Sequence, residues 1–121
     1  MKQLIVLSFM MLGMSYGAYA QDDYYIRQAQ SYMREAEYYN RQADGYDREV
    51  EYYNKQARSY MRDAEYYSRN NNPDKAKMYT EWAENSMDKA RMYMGWSKDA
   101  RDKAVMYMRR SQESMERANR R

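Results

Sequence analysis

The sequence contains no cysteine and no histidine. Without cysteine, the chain forms no disulfide bonds and carries no lipid-modified cysteine of the kind that tethers bacterial lipoproteins. It also lacks the commonest nucleophile and the commonest general base of enzymes. The acidic residues lie beside basic ones throughout and form no evident catalytic pair. The composition therefore predicts a protein that is not an enzyme.

Large aliphatic residues are almost absent as well. After the first twenty residues there is no leucine or phenylalanine, and the only large aliphatic residues are Ile26, Val50 and Val105. Apolar surface comes instead from alanine, tyrosine and methionine, with Trp82 and Trp96. A densely packed globular core needs bulky aliphatic side chains, whereas a seam between two helices needs only one apolar stripe on each. The composition favours such a seam.

The first twenty residues differ from the rest of the chain. Lys2 supplies a positive charge, an apolar run extends from Leu4 to Met14, and Ala18-Tyr19-Ala20 fits the small-x-small cleavage rule. The run is too short to span a bilayer comfortably. We therefore expect residues 1–20 to be a cleaved signal peptide. Residues 21–121 would then form an exported, soluble protein, periplasmic or secreted, that is not a lipoprotein.

A heptad pattern organises the first half of the exported chain. Tyrosine doublets recur every two heptads, at Tyr24-Tyr25, Tyr38-Tyr39, Tyr52-Tyr53 and Tyr66-Tyr67. A 4-3 alternation places tyrosine at position d, namely Tyr25, Tyr32, Tyr39, Tyr46, Tyr53, Tyr60 and Tyr67. It places mainly alanine at position a, namely Ala29, Ala36, Ala43, Val50, Ala57 and Ala64. A repeat this long predicts a coiled-coil helix over residues 24–69.

A polar run, Asn70-Asn71-Asn72-Pro73, interrupts the heptads. Asn72 suits a helix N-cap and Pro73 the first helical position, so we expect a turn over residues 70–73 and a second helix over residues 73–119. The alternation continues there in a new frame. Its a positions are Ala76, Ala83, Ala90, Ser97, Ala104, Ser111 and Ala118. Its d positions are Tyr79, Ser86, Tyr93, Ala100, Tyr107 and Ser114.

The turn lies where it brings the two patterns together. In the antiparallel register that it sets, Tyr53 is opposite Ala90 and Tyr93 is opposite Val50, and no tyrosine is directly opposite another. Such pairing of large with small residues lets helices approach closely. The predicted fold class is all-α: two long antiparallel helices that form a coiled-coil helical hairpin with an Ala/Tyr seam. We expect hairpins to assemble into a helical bundle or to dock on a larger partner, with a monomer as the alternative.

One edge of the predicted seam is charged. The first helix presents acids there, such as Glu49 and Asp63, and the second helix presents bases, such as Lys75 and Lys89. Since these positions flank the seam, we expect the acids and bases to attract each other across it.

The other edge of the predicted seam is rich in methionine. It should place Met33 between Met108 and Met115. Thioethers bind soft ions such as Cu(I) and Ag(I), but methionine also fills apolar edges well. These three residues are the metal-ligand candidates, and the packing role is the one favoured by the sequence.

The heptad pattern contains no catalytic or cofactor-binding motif. It predicts an exported structural or protein-interaction coiled-coil protein, a spacer, adaptor or assembly subunit, whose partner is a second copy or another protein. No nucleic-acid partner is expected, because charges of both signs alternate and the net charge is only +3. Two alternatives remain, a periplasmic methionine-rich Cu(I)/Ag(I)-binding protein and a membrane-surface helical effector.

Overall fold

The computed structural model describes residues 23–120 of the chain. The predicted signal peptide, residues 1–20, lies outside the described residues. Within them the chain forms two α-helices, α1 (Asp23–Arg69) and α2 (Pro73–Asn119), each 47 residues long. The two helices pack against each other and the described residues contain no strand, which confirms the predicted all-α helical hairpin. None of the helical sequence described is long and apolar enough to cross a membrane.

Local sequence explains why both segments are helical. Strong helix formers such as alanine, arginine, glutamate, lysine and methionine occupy many positions, and the only proline is the first residue of α2. Acid-before-base pairs add support on the solvent side of α1. Glu51 pairs with Lys55 at 3.3 Å and Glu65 with Arg69 at 3.8 Å. Exposed pairs of this spacing stabilise a helix by about 0.2–0.5 kcal/mol each.

The turn between the helices is built by three asparagines. Asn71 has a φ of 56°, the left-handed conformation that asparagine tolerates better than most residues. The backbone N–H of Asn72 donates to the carbonyl of Tyr67 at 2.8 Å, the long hydrogen bond of a Schellman C-cap. The Asn72 side chain in turn accepts from the N–H of Lys75 at 3.3 Å and so caps α2. One short segment thus satisfies backbone groups at the ends of both helices.

The hairpin divides into two compact units. One unit comprises residues 42–99, and the other comprises, among the described residues, segments 23–41 and 100–120. Each unit has a core formed mainly by small residues from both helices. In the 42–99 unit the buried residues are Ala43, Ala57, Ala64, Ala83, Ser86, Ala90 and Ser97. In the other unit they are Ala29, Met33, Ala36, Ala100, Ala104, Ser111, Ser114, Met115 and Ala118.

Substitutions at Asn71 should test the turn. Alanine at this position is expected to lower the free energy of unfolding by about 1 kcal/mol, because a Cβ is disfavoured at positive φ and alanine lacks the local hydrogen bonding of asparagine. Asn71→Gly should leave the stability unchanged or raise it slightly, since glycine adopts this conformation freely. Urea unfolding of both variants checks the expectation. Equal losses for alanine and glycine would contradict a left-handed C-cap at Asn71.

Candidate functional site

The residues assigned to the seam differ in burial according to their size. The alanines Ala83, Ala90, Ala104 and Ala118 are buried, and Ala76 beside the turn is half-buried. The seam tyrosines are all half-buried: Tyr25, Tyr32, Tyr39, Tyr46, Tyr53, Tyr60, Tyr67, Tyr79, Tyr93 and Tyr107. A phenol in this position buries its ring while its hydroxyl remains near water.

Tyrosine rings contact one another across the two helices, an arrangement that differs from the predicted pairing of each tyrosine with a small residue. Three tyrosines of α2 each contact two tyrosines of α1. Tyr93 stacks on Tyr53 with ring centroids 5.8 Å apart and an interplanar angle of 10°, and it also meets Tyr46 at 6.1 Å. Heptad positions predict only which residues lie directly opposite each other, and these tyrosines are diagonal neighbours. The small buried residues that alternate with the tyrosines, such as Ala57 and Ala90, leave space in which a ring can reach two tyrosines of the other helix.

The same arrangement occurs around Tyr79 and around Tyr107. Tyr79 stacks on Tyr67 at 5.5 Å and meets Tyr60 at 6.2 Å. Tyr107 stacks on Tyr39 at 5.7 Å and meets Tyr32 at 6.1 Å. All these separations lie within the range in which aromatic pairs add about 0.5–1.5 kcal/mol beyond area burial. We name the three groups the Tyr79, Tyr93 and Tyr107 clusters after their central rings.

Two of the clusters include a tryptophan. Trp96 packs edge-on against Tyr93 at 5.2 Å and against Tyr46 at 5.7 Å. Trp82 packs in the same way against Tyr79 at 5.2 Å and Tyr60 at 5.6 Å. Each tryptophan follows its central tyrosine by three residues, a spacing that makes helical neighbours. That spacing was the signal in the sequence that could have revealed these contacts.

Lysines of α2 lie over tyrosine rings of α1. The ammonium groups of Lys75, Lys89 and Lys103 lie 5.0, 5.3 and 5.3 Å from the ring centroids of Tyr67, Tyr53 and Tyr39, respectively. The heptad positions predict that these lysines meet acids of α1 across the seam edge. In the structure each lysine instead contacts the outward face of a stacked tyrosine ring. A cation–π contact at an exposed site contributes about 0.5–1 kcal/mol.

The Tyr107 cluster has an arginine in the place of a tryptophan. Arg110 follows Tyr107 by three residues, as Trp96 follows Tyr93, and its guanidinium carbon lies 5.6 Å from the Tyr107 ring centroid. Arginine stacks on aromatic faces as well as carrying charge. Arg110 therefore packs on its central tyrosine as the tryptophans do, but it brings a positive charge instead of an aromatic ring.

The first tyrosine of each doublet forms the outer part of these surfaces. Tyr38, Tyr52 and Tyr66 pack edge-on against the next residue in sequence, with ring centroids 5.1–5.2 Å apart. Their exposed fractions are 50%, 55% and 60%, and Trp82 and Trp96 are 43% and 45% exposed. Each cluster thus connects half-buried seam rings to aromatic rings that face solvent.

Serines of α2 make hydrogen bonds to α1 within each unit. Ser97 donates to the Asp47 carboxylate at 2.6 Å, and Ser86 donates to the side-chain oxygen of Gln56 at 3.4 Å. In the other unit, fully buried Ser111 donates to the carbonyl of Ala29 at 2.7 Å. Each bond requires a particular axial position of one helix against the other. These polar pairs therefore help to specify the register.

The three methionines that the sequence singled out as metal-ligand candidates are brought together. Met33 and Met115 are buried beside Ala29, and Met108 packs against them. Ile26 also contacts this group, so its surroundings are apolar. The arrangement serves as a small hydrophobic core, and it also places three thioether side chains in one cluster. Among the described residues, no group of three or more histidine, cysteine or acidic side chains is placed to hold a metal ion.

Comparison with known proteins adds no family to this description. No protein-family model matches the chain, and neither the curated proteins nor the solved structures include a significant match.

Alanine substitutions should show that a central tyrosine contributes more to the free energy of unfolding than an outer tyrosine does. Tyr93→Ala removes the stack on Tyr53 and the contacts with Tyr46 and Trp96, so we expect it to lower the free energy of unfolding by about 2–3 kcal/mol. Tyr52→Ala removes a ring that is 55% exposed, and its loss should stay below about 1 kcal/mol. Thermal or urea unfolding followed by circular dichroism measures both. Similar losses for the two variants would show that Tyr93 is not a central packing residue.

Proposed function

We propose that this protein is an exported structural or protein-interaction hairpin, an assembly subunit whose clusters of tyrosine and tryptophan associate with a second copy or another protein. The observation that carries the proposal is the exposure of the outer rings. Tyr52, Tyr66, Trp82 and Trp96 each have more than 40% of their surface in solvent, although all four are large and mostly apolar. Tyrosine and tryptophan are enriched at protein interfaces and among the residues that dominate binding energy.

The internal contacts of the clusters also support association. Tyr66 packs on Tyr67, which stacks on Tyr79, which in turn packs on Trp82. Each outer ring is thus held by another ring and loses little conformational freedom when a partner covers it. Surfaces ordered in advance bind at a lower entropic cost. Adjacent apolar rings of this kind usually mark sites of interaction.

Composition supports a role without catalysis. The chain has neither histidine nor cysteine, and its acids are distributed along helix surfaces beside bases. A structural or adaptor role requires only a stable helical scaffold with a recognisable surface. The signal-peptide features of residues 1–20 support export, which makes the periplasm or the extracellular space the proposed location.

Light scattering coupled to size-exclusion chromatography tests association of residues 21–121. We expect a mass above that of one chain, decreasing on dilution, and a dissociation constant raised at least about tenfold by Tyr52→Ser with Tyr66→Ser, because exposed aromatic anchors dominate interface energy. The matched control is Arg34→Ser with Arg48→Ser, on the same helix. A mass equal to one chain at all concentrations would exclude self-association, and the proposed partner would then be another protein. Equal effects of the two double variants would exclude the tyrosines as the association surface.

A second candidate function rests on the methionine cluster. Because Met33, Met108 and Met115 come together, the cluster offers thioether ligands of the type that soft ions prefer. Titration with Cu(I) against a competing chelator measures the affinity. Met33→Leu with Met108→Leu should abolish stoichiometric binding, whereas Met92→Leu with Met94→Leu should leave it unchanged. Absence of binding, or binding that survives the first pair of substitutions, would exclude this role.

A further inference from the structure

A groove of about 360 Å³ lies between the helices of the 42–99 unit. Its lining comprises Asn54, Ala57, Arg58, Met61, Arg62 and Met87. Ala57 is buried, Met87 is half-buried, and Met61 is 44% exposed. The volume falls at the lower end of the range found for small-molecule sites. None of these residues belongs to the Tyr79 or Tyr93 cluster, so the groove is separate from the proposed association surface.

The groove combines an apolar lining with positive charge. Met61 and Met87 provide flexible, polarisable side chains that adapt to irregular apolar ligands. Arg58 and Arg62 are exposed, lie one helical turn apart and are the only charged residues of the lining. A pair of guanidinium groups one turn apart suits a planar anion such as a carboxylate, which arginine binds through paired hydrogen bonds.

Two acids near the groove in sequence pair with other bases. Glu65 pairs with Arg69, and on α2 the carboxylate of Asp88 pairs with Arg91 at 2.7 Å. No ion pair within residues 23–120 involves Arg58 or Arg62. The two guanidinium groups therefore retain their full capacity to bind an anion.

We propose that this groove binds a small anionic amphiphile, a carboxylate with a short hydrocarbon tail. The tail lies against Met61, Met87 and Ala57, and the carboxylate lies at the Arg58 and Arg62 side. A neutral or cationic molecule with the same tail would satisfy the apolar lining but not the arginines. The ligand's negative charge is therefore the property that the site selects.

The test uses protein labelled with ¹³C at the methionine methyl groups and titrated with octanoate, 1-octanol and octylammonium. We expect octanoate to shift the Met61 and Met87 signals saturably, with a dissociation constant on the order of 1 mM for so small a ligand. Octylammonium should leave them unchanged, and 1-octanol should bind about tenfold more weakly than octanoate. Signals of Met33 and Met115, in the other unit, serve as internal controls.

Paired substitutions identify the role of charge. Arg58→Gln with Arg62→Gln should weaken octanoate binding about tenfold, whereas Arg48→Gln, on the same helix but outside the lining, should not. Similar shifts with all three ligands would overturn the proposal, as would unchanged affinity in the double variant. It would also be overturned if the Met61 and Met87 signals responded to protein concentration alone, since a second copy would then occupy the groove. Response only to anionic lipid vesicles would equally exclude a small amphiphile.

Discussion

The structure depends on a seam in which half-buried tyrosine rings alternate with buried small residues along both helices. A chain without leucine must obtain its apolar contact area elsewhere, and tyrosine supplies a large ring with a hydroxyl that must remain hydrated or hydrogen-bonded. Placing the ring beside an alanine or serine meets both requirements. The small residue lets the helices approach, and the ring extends along the seam toward its edge. Burial of Ala83 and Ala90 together with partial burial of Tyr79 and Tyr93 follows directly from this fit.

The same fit explains the surface of the molecule. A tyrosine that leans toward the seam edge can stack on its neighbour, and the outer face of the stack is then available to a lysine or a tryptophan. Lys89 over Tyr53 and Trp96 beside Tyr93 are the result in one cluster. Packing at the seam and exposure of aromatic rings are thus two consequences of one constraint. The surface that we propose for association is continuous with the contacts that stabilise each unit.

Much of the architecture is predictable because it depends on local spacing. The heptad alternation indicates helices, and asparagines followed by Pro73 indicate a turn, since these features act over a few residues. The convergence of Met33, Met108 and Met115 could also be anticipated from the register. The stacking of Tyr53 on Tyr93 was missed because it joins residues that are diagonal neighbours. The contact of Lys89 with the Tyr53 ring was not anticipated, because heptad positions do not specify which neighbouring side chain a lysine reaches.

The sequence by itself determined that residues 24–119 form a pair of helices, each with a stripe of tyrosine and small residues, since helix periodicity and capping are local properties. Only the tertiary structure decided which rings stack, which cations cover them and where a groove remains. Those outcomes depend on the axial stagger of one helix against the other and on side-chain rotamers, which no repeat pattern specifies. The spacing of the tyrosine repeat therefore predicts a helical seam. The three aromatic clusters and the groove lined by Met61 and Met87 form only when the two helices pack together.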